Sequence, residues 1–399
     1  MTEREASLPS SAVPGMREGR TIVTRRNGNA RSGLLILLSC LMAIMVPVQS
    51  HAAPPATIRV ATDGVDTENC GTAAAPCRSL SQGIQNATDG DTVLVGPGRY
   101  GDLNGNGIFG ESGEEAGLGP CFCLIDVNKR LAIRSEMGAL QTVLDAAGTP
   151  FRVVAISASF VSFGTRGRGF TVTGSTSAGL AIIADEGVIV SGNFATENRV
   201  GNNFGEGFTV VRGRNHRFVA NVATGNGGGF AFFGESLIAT NNVAVANFAG
   251  GFGGEGSNYL LRRNVSSGNQ AGFSFAGPGH RMQHNAAIGN RFFGIVLQRA
   301  QPENPPTAGF FAERNNIYGN GTGISSPPPN CGFFNTSHSS VKATHNYWGS
   351  ALGPGPDPAD FACELDGAIV TRPFSPVEFA VLEEAGADCP LGSCVGLPQ

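Results

Sequence analysis

The chain has 399 residues with 58 Gly and 23 Pro, so Gly stands at about twice its ordinary share of roughly 7%. Apolar residues reach 41% and charged residues 15%, which excludes a disordered chain; the glycine load also argues against helical bundles, because each helix-interior Gly costs about 1 kcal/mol. The formal charge is −4 and the only lysines are Lys129 and Lys342, so no basic stripe exists to neutralise phosphates and nucleic acid is not an expected partner.

The first 52 residues read as an export signal. Arg25, Arg26 and Arg31 precede an apolar run from Leu34 to Val46, and Ser50 to Ala52 offers a cleavage site. The run is short for a bilayer span and is ended by Pro47, so no membrane span is expected after cleavage, although a retained anchor helix is the alternative. Leu37 to Cys40 resembles a lipobox, but apolar residues continue past Cys40, which ranks lipidation below cleavage. Export predicts a secreted, periplasmic or cell-surface protein. Residues 1–52 carry six Arg and three Glu, so the remainder has 21 basic against 28 acidic residues.

Eight cysteines follow Cys40, an even number in a compartment that permits disulfides. Cys70 with Cys77 and Cys389 with Cys394 are spaced to close small loops, and Cys331 and Cys363 flank a Pro-rich segment they could pin. Cys121 and Cys123 alternate around Phe122 and are not expected to pair with each other. Connectivity stays open at this stage.

Residues 53–130 are read as an N-terminal cap and first coils. Leu80, Ile84 and Ala87 share one face of a short helix, and Asp91 to Tyr100 follows as an extended segment. The loop Asp102, Asn104, Asn106, Gly107, Ile108 places oxygens at alternate positions before a turn glycine, the front half of an EF-hand-type calcium loop. Gly110 and Gly113 stand where further acidic ligands would be, while Glu111 and Glu114 lie one residue off; Ile108 and Glu114 complete the expected set for a structural Ca²⁺. A metal-free Asn-Gly turn is the competing account.

Residues 131–350 carry a repeat. Asn221–Asn226, Asn242–Asn247, Asn264–Asn269 and Asn285–Asn290 share a frame, with first residues 21, 22 and 21 apart. Asn193–Asn198 fits 28 residues upstream with an insertion, and Asn316–Asn320 reads as a shortened copy after the Pro-rich insertion at 301–306. A period near 22 is too short for a two-helix repeat or a four-stranded blade, and it fits one coil of a parallel β-helix whose strands stack about 4.8 Å apart. Asn226, Asn247, Asn269 and Asn290 should then form an internal amide ladder, and Phe230, Phe252 and Phe273 a stacked core column. The glycine before each aromatic suits a turn with positive φ. Residues 351–399, with Pro354, Pro356 and Pro358, read as a C-terminal cap and disulfide-bearing tail.

With the Asn repeats, the segment Gly90–Tyr100, Gly169–Val172 and the closing Asn346-Tyr347-Trp348-Gly349, the chain resembles the pectin-lyase-like right-handed parallel β-helix proteins, including the carbohydrate-binding and sugar-hydrolase repeat group. The resemblance covers most of 56–375. It implies the hand of the coil: an all-β, single-stranded right-handed solenoid with a short N-terminal capping helix, and an extracellular polysaccharide as partner. Trp348, the only Trp, belongs to the closing motif and is expected to be structural.

Aligning the coils puts His216, Leu237, Tyr259 and His280 in one column and Arg217, Ile238, Leu260 and Arg281 in the next, with Arg214 beside Glu235 and Glu255 in the following loop. A ridge of Arg214, Glu235, Glu255, Tyr259 and His280 could place two carboxyls for glycoside hydrolysis, or a Tyr or His base with Arg for lyase chemistry. Solvated ion pairs of small energy account for the same residues equally simply. Polygalacturonase-like acidic motifs, epimerase-like Asp-Pro-His and Ser-His-Asp arrangements are not evident. The expectation is an exported, monomeric β-helix that binds or processes polysaccharide, the alternative being a non-catalytic surface or adhesion module.

Overall fold

The computed structural model describes residues 54–381, apart from 105, 107, 109, 116–120, 201, 202, 303 and 323–329. The expected export signal and the Cys389/Cys394 pair lie outside the described residues. Three parallel sheets of twelve, nine and ten strands run side by side, and the chain visits them in rotation. Val222–Thr224 lies in the nine-stranded sheet, Gly228–Phe232 in the ten-stranded sheet and Ile238–Thr240 in the twelve-stranded sheet, after which Val243–Val245 returns to the first of these. Register is kept from coil to coil: Ala223 pairs with Ala244, Phe230 with Phe252 and Ala239 with Leu261. The fold is a parallel β-helix. An antiparallel hairpin, Arg199–Val200 with Asn203–Phe204, is the insertion that lengthens the Asn193 coil.

Each coil turns at three corners, and at each a residue with positive φ stands just before an inward-pointing one. Between the twelve- and nine-stranded sheets these are Ala220, Asn241, Arg263 and His284 at φ 53° to 57°, each followed by a ladder Asn. Between the nine- and ten-stranded sheets they are Gly225, Ala246, Gly268 and Gly289 at φ 53° to 67°. A single left-handed residue bends the chain sharply at a cost of about 1–2 kcal/mol for a non-glycine residue, and the amide that follows recovers it. Asn247 shows how. Its Oδ1 accepts from Asn226 N and Nδ2 at 3.1 and 3.0 Å, while its Nδ2 donates to Ala223 O and to Asn269 Oδ1. Two such ladders run the length of the repeats, Asn193-221-242-264-285-315-346 and Asn198-226-247-269-290-320, all nearly or fully buried. The second ends on Asp360, which accepts from Asn320 N and Nδ2.

Two details of the expected frame are corrected. Asn315, not Asn316, occupies the ladder, so that copy is full length; Asn316 instead bonds the Phe379 backbone on the outside. The glycines before the core aromatics are not positive-φ turns. Gly229, Gly251 and Gly272 lie in strands, and a Cβ at Gly251 would collide with Ser266 Oγ and crowd Asn269 Nδ2 and Gly272 O. They are small because the coils are close.

Phe208, Phe230, Phe252 and Phe273 stack at centroid distances of 4.9, 4.6 and 5.0 Å, nearly parallel. Each such ring contributes about 1.5–3 kcal/mol by leaving water. Trp348 is fully buried, as expected of a structural role. Phe379 and Val381 pack on the outward side chains of the nine-stranded sheet. Among the described residues the only helix is Leu80–Asn86. Ser79 caps it by accepting from Gln82 N, and its buried Leu80, Gly83 and Ile84 face the first strands; a Cβ at Gly83 would meet Val60 Cγ2 at 2.6 Å. No helix of the described residues is long and apolar enough to cross a membrane.

Disulfides join Cys70–Cys77, Cys331–Cys363 and Cys121–Cys123. The last pairing corrects the sequence expectation: Phe122 adopts φ 48°, and the turn leaves the two Cα atoms 5.3 Å apart, within disulfide reach.

Candidate functional site

The third corner, between the ten- and twelve-stranded sheets, is where the coils differ. Its left-handed residues are Asn215, Ser236, Asn258, Gly279 and Gly309, followed inward by His216, Leu237, Tyr259, His280 and Phe310. The sequence column is real, and it faces the core. His280 Nδ1 accepts from Tyr259 N at 3.2 Å and Nε2 lies 2.9 Å from Ala276 O, so the ring does for this corner what Asn does at the other two. That pattern assigns the proton to Nε2. His216 repeats it on Val188 N and Arg212 O. Burial lowers the His280 pKa to about 4 and lowers that of His216 as well. The Tyr259 hydroxyl donates to Phe232 O and accepts from Gly234 N, and its burial raises its pKa strongly.

Arg214, Glu235 and Glu255 face outward, so the expected ridge divides into an inner column and an outer set. Arg214 pairs in register with Glu235 and with Glu186 on the other side, while Glu235 pairs with Ser257. Glu255 therefore stands two residues away from the Glu235 column; it ends the strand Gly250–Glu255 and accepts from Gln301 N at 2.8 Å, anchoring the Pro-rich insertion. Arg281 lies outside on the twelve-stranded sheet with its guanidinium 5.3 Å from the Phe311 ring.

Around Arg214 the surface hollows into a cleft of about 440 Å³ lined by Asp185, Glu186, Arg212, Arg214, Phe233 and Glu235, among others. Two ion pairs join the same two neighbouring coils. Arg214 lies 3.5 Å from Glu186, whose other oxygen accepts from the Asn215 amide at 2.9 Å, and Arg212 lies 3.5 Å from Asp185. The Asn215 amide and then the Arg214 guanidinium hold Glu186 below the ordinary carboxylate value. Phe233 is 48% exposed and Val211 42%, an apolar floor between the charges. Glu186 and Glu235 are two coils apart, about 10 Å along the stack, with Arg214 between them.

Asp185, Glu186, Arg212 and Phe233 did not emerge from the sequence. The signal was present for one of them: Glu186 precedes Arg214 by 28 residues, the spacing of Asn193 to Asn221. Phe233 lies one residue beyond an inward Phe and carries no period of its own.

At the N-terminal end a larger cleft of about 1000 Å³ is walled by the 62–66 loop, the helix start, residues 110–114 and 121–129. The calcium-type loop forms part of this wall. Asp102 is fully buried and Glu114 nearly so, while Asn104, Asn106 and Ile108 are exposed. Gly107 lies outside the described residues. Asp66, Cys70 and Cys77 also lie close together, but the two sulfurs are bonded to each other and offer no thiolate.

No family model and no curated protein matches the sequence. Solved structures that superpose include pectate lyase Pel9A, at 14% identity over 80% of this chain and 78% of that one, with a TM-score of 0.39. A family-136 lacto-N-biosidase from Eubacterium ramulus matches at 10% identity over 79% and 68%, TM-score 0.46. A rhamnogalacturonan lyase matches at 15% over 81% and 84%, TM-score 0.38. The chain is a parallel β-helix on the evidence of its own strand order and register.

Proposed function

We propose that this is an exported β-helix that binds an extracellular polysaccharide across the Arg214 cleft, with the helix Leu80–Asn86 closing the N-terminal end of its core. The observation that carries the proposal is the cleft at the third corner, where Glu186, Arg214 and Glu235 of three successive coils stand beside an exposed Phe233. Sugar rings present an apolar face to an aromatic ring and hydroxyls to charged groups at its rim. Asn215 holds Glu186, and Glu186 pairs with Arg214, before any ligand arrives, so little ordering is needed on binding. Glu235 stands in solvent and Glu255 is tied to a backbone amide, so no reaction is assigned to either.

The test is a binding screen against neutral and acidic polysaccharides, run beside assays for new reducing ends and unsaturated products. Binding by the wild type, weakened about tenfold in Arg214→Ala and Phe233→Ala, equivalent to about 1.4 kcal/mol, supports the proposal. Absence of binding to every polymer, or binding indifferent to both substitutions, removes the cleft and leaves the structural-module reading.

A further inference from the structure

The loop on the wall of the N-terminal cleft buries two carboxylates, and one oxygen of Glu114 has no partner. Asp102 has no exposed surface and Glu114 is 6% exposed. One oxygen of Glu114 accepts from Leu103 N at 3.0 Å and Asn104 N at 3.4 Å, which seats the carboxylate against the backbone next to Asp102. Its other oxygen, Oε2, is buried and has no hydrogen-bond partner. A buried carboxylate oxygen without a donor is expensive and calls for a cation. Arg78 lies beside this turn, its Nε 3.5 Å from where a Cβ on Gly113 would stand, yet among the described residues it forms no salt bridge and its buried Nη1 is itself unpartnered; Arg99, which donates to Leu103 O, is paired with Asp145.

The side chains between Asp102 and Glu114 are set to present oxygen. Asn104 and Asn106 both donate their amide nitrogens to Glu111 Oε2, at 2.8 and 2.7 Å, so Oδ1 is the end each turns along the loop. Each Oδ1 accepts one backbone N–H, from Asn106 and Ile108, and has a second lone pair. We propose that Asp102, Asn104, Asn106, the Ile108 carbonyl and Glu114 Oε2 hold a calcium ion. Oxygen ligands that mix carboxylate, amide and carbonyl suit Ca²⁺, which tolerates irregular shells of six to eight oxygens; Mg²⁺ demands a near-ideal octahedron. Glu111 is not a ligand in this arrangement but a clamp that fixes which way the amides face. The neighbouring Glu115 gives the ion a structural role: it is buried, and its carboxylate accepts from Leu80 N and Ser81 N at the start of the helix. An ion held by Glu114 thus ties the loop to the helix.

The full chain, stripped with chelator, is titrated with CaCl₂ and in parallel with MgCl₂ by calorimetry, followed by melting and limited proteolysis. One equivalent of Ca²⁺ should bind, at least about tenfold more tightly than Mg²⁺, and should raise the melting temperature and protect the 102–114 segment. Glu114→Gln should weaken Ca²⁺ binding by about tenfold or more while leaving the chelated protein as stable as the wild type, because it removes the unpaired charge. Asn106→Ala, at an exposed side chain that folding does not need, should weaken it too. No Ca²⁺ binding by the wild type, or binding that survives unchanged in both variants, overturns the assignment. So does a chelated Glu114→Gln protein that melts well below the wild type, since the carboxylate would then already be satisfied by the protein.

Discussion

The corner between the nine- and ten-stranded sheets and the corner between the ten- and twelve-stranded sheets belong to the same coils and are bent by the same device, a single left-handed residue. In the first, four residues stand between the two ladder asparagines in every copy, each amide bonds the coils above and below, and the Arg199–Phe204 hairpin enters after the amide without disturbing that spacing. In the second, the linking segment varies, from 233–237 in one coil to 298–310 in another, and only the inward residue keeps its place. Where amides must meet at every level the spacing cannot change. Where the inner column is a mixture of His, Leu, Tyr and Phe, packing tolerates substitution, and the outer residues are left to form a cleft.

An insertion should expose this difference most strongly. One residue added between Gly268 and Asn269 displaces an amide from its ladder and shifts the following strand onto the opposite face, since side chains alternate with period two. Cooperative melting should be lost. One residue added between Gln301 and Pro305, in the loop of the other corner, should leave the melting temperature within a few degrees, because long surface loops cost little to extend.

Next comes the ladder amide itself. Asn247→Leu strands two donors of Asn226 and removes the donor to Asn269 Oδ1. At about 1–3 kcal/mol for each orphaned buried group, the loss should be about 3–5 kcal/mol, read by denaturant titration. Arg262→Ala, at an exposed side chain, should stay within about 0.5 kcal/mol. Equal effects would contradict the inward placement of the amides.

The two corners should also respond oppositely to acid. His280 has its folded pKa lowered by burial to about 4, below the ordinary 6.5, so its contribution is complete above pH 6.5 and is lost as pH falls towards 4. Asp360, which ends the ladder, is raised by burial to about 6 from 3.8; its contribution is complete below 3.8 and is lost as pH rises through 6. The two trends share a window and offset each other, each on the order of 3 kcal/mol. Relative to the wild type, His280→Gln should lose less stability between pH 6.5 and 4, and Asp360→Asn should lose more. Parallel pH profiles in all three proteins would refute the assignment.

The fold was legible because hydrogen-bonded stacking forces a constant spacing on Asn221, Asn242, Asn264 and Asn285, and spacing is what a sequence displays. The frame slipped at Asn315 because two asparagines stand in tandem there after a long insertion. Alignment also placed Tyr259 and His280 correctly in one column, but a column carries no statement of which side it faces; that depends on the left-handed residue before it. Gly251 and its equivalents look like turn glycines in the sequence, whereas the reason for them is the next coil's backbone. The cleft was the least legible part. Asp185, Arg212 and Phe233 recur with no period, and their meeting depends on how neighbouring loops of unequal length lie against each other. Glu114 was visible as a carboxyl one position out of frame, but its buried, unpartnered oxygen is a property of packing alone.

The division of labour between corners is tested most directly by one pair of measurements on the same protein: polysaccharide affinity and melting temperature of Arg214→Ala against the wild type. Arg214 is 63% exposed, so solvent screens its pairing with Glu186 and the fold does not depend on it. The melting temperature should therefore move by no more than a few degrees, while affinity for the bound polysaccharide falls about tenfold. Unchanged affinity in that variant, or a loss of affinity accompanied by a collapse in melting temperature of the kind expected for Asn247→Leu, would contradict the assignment of binding to the third corner.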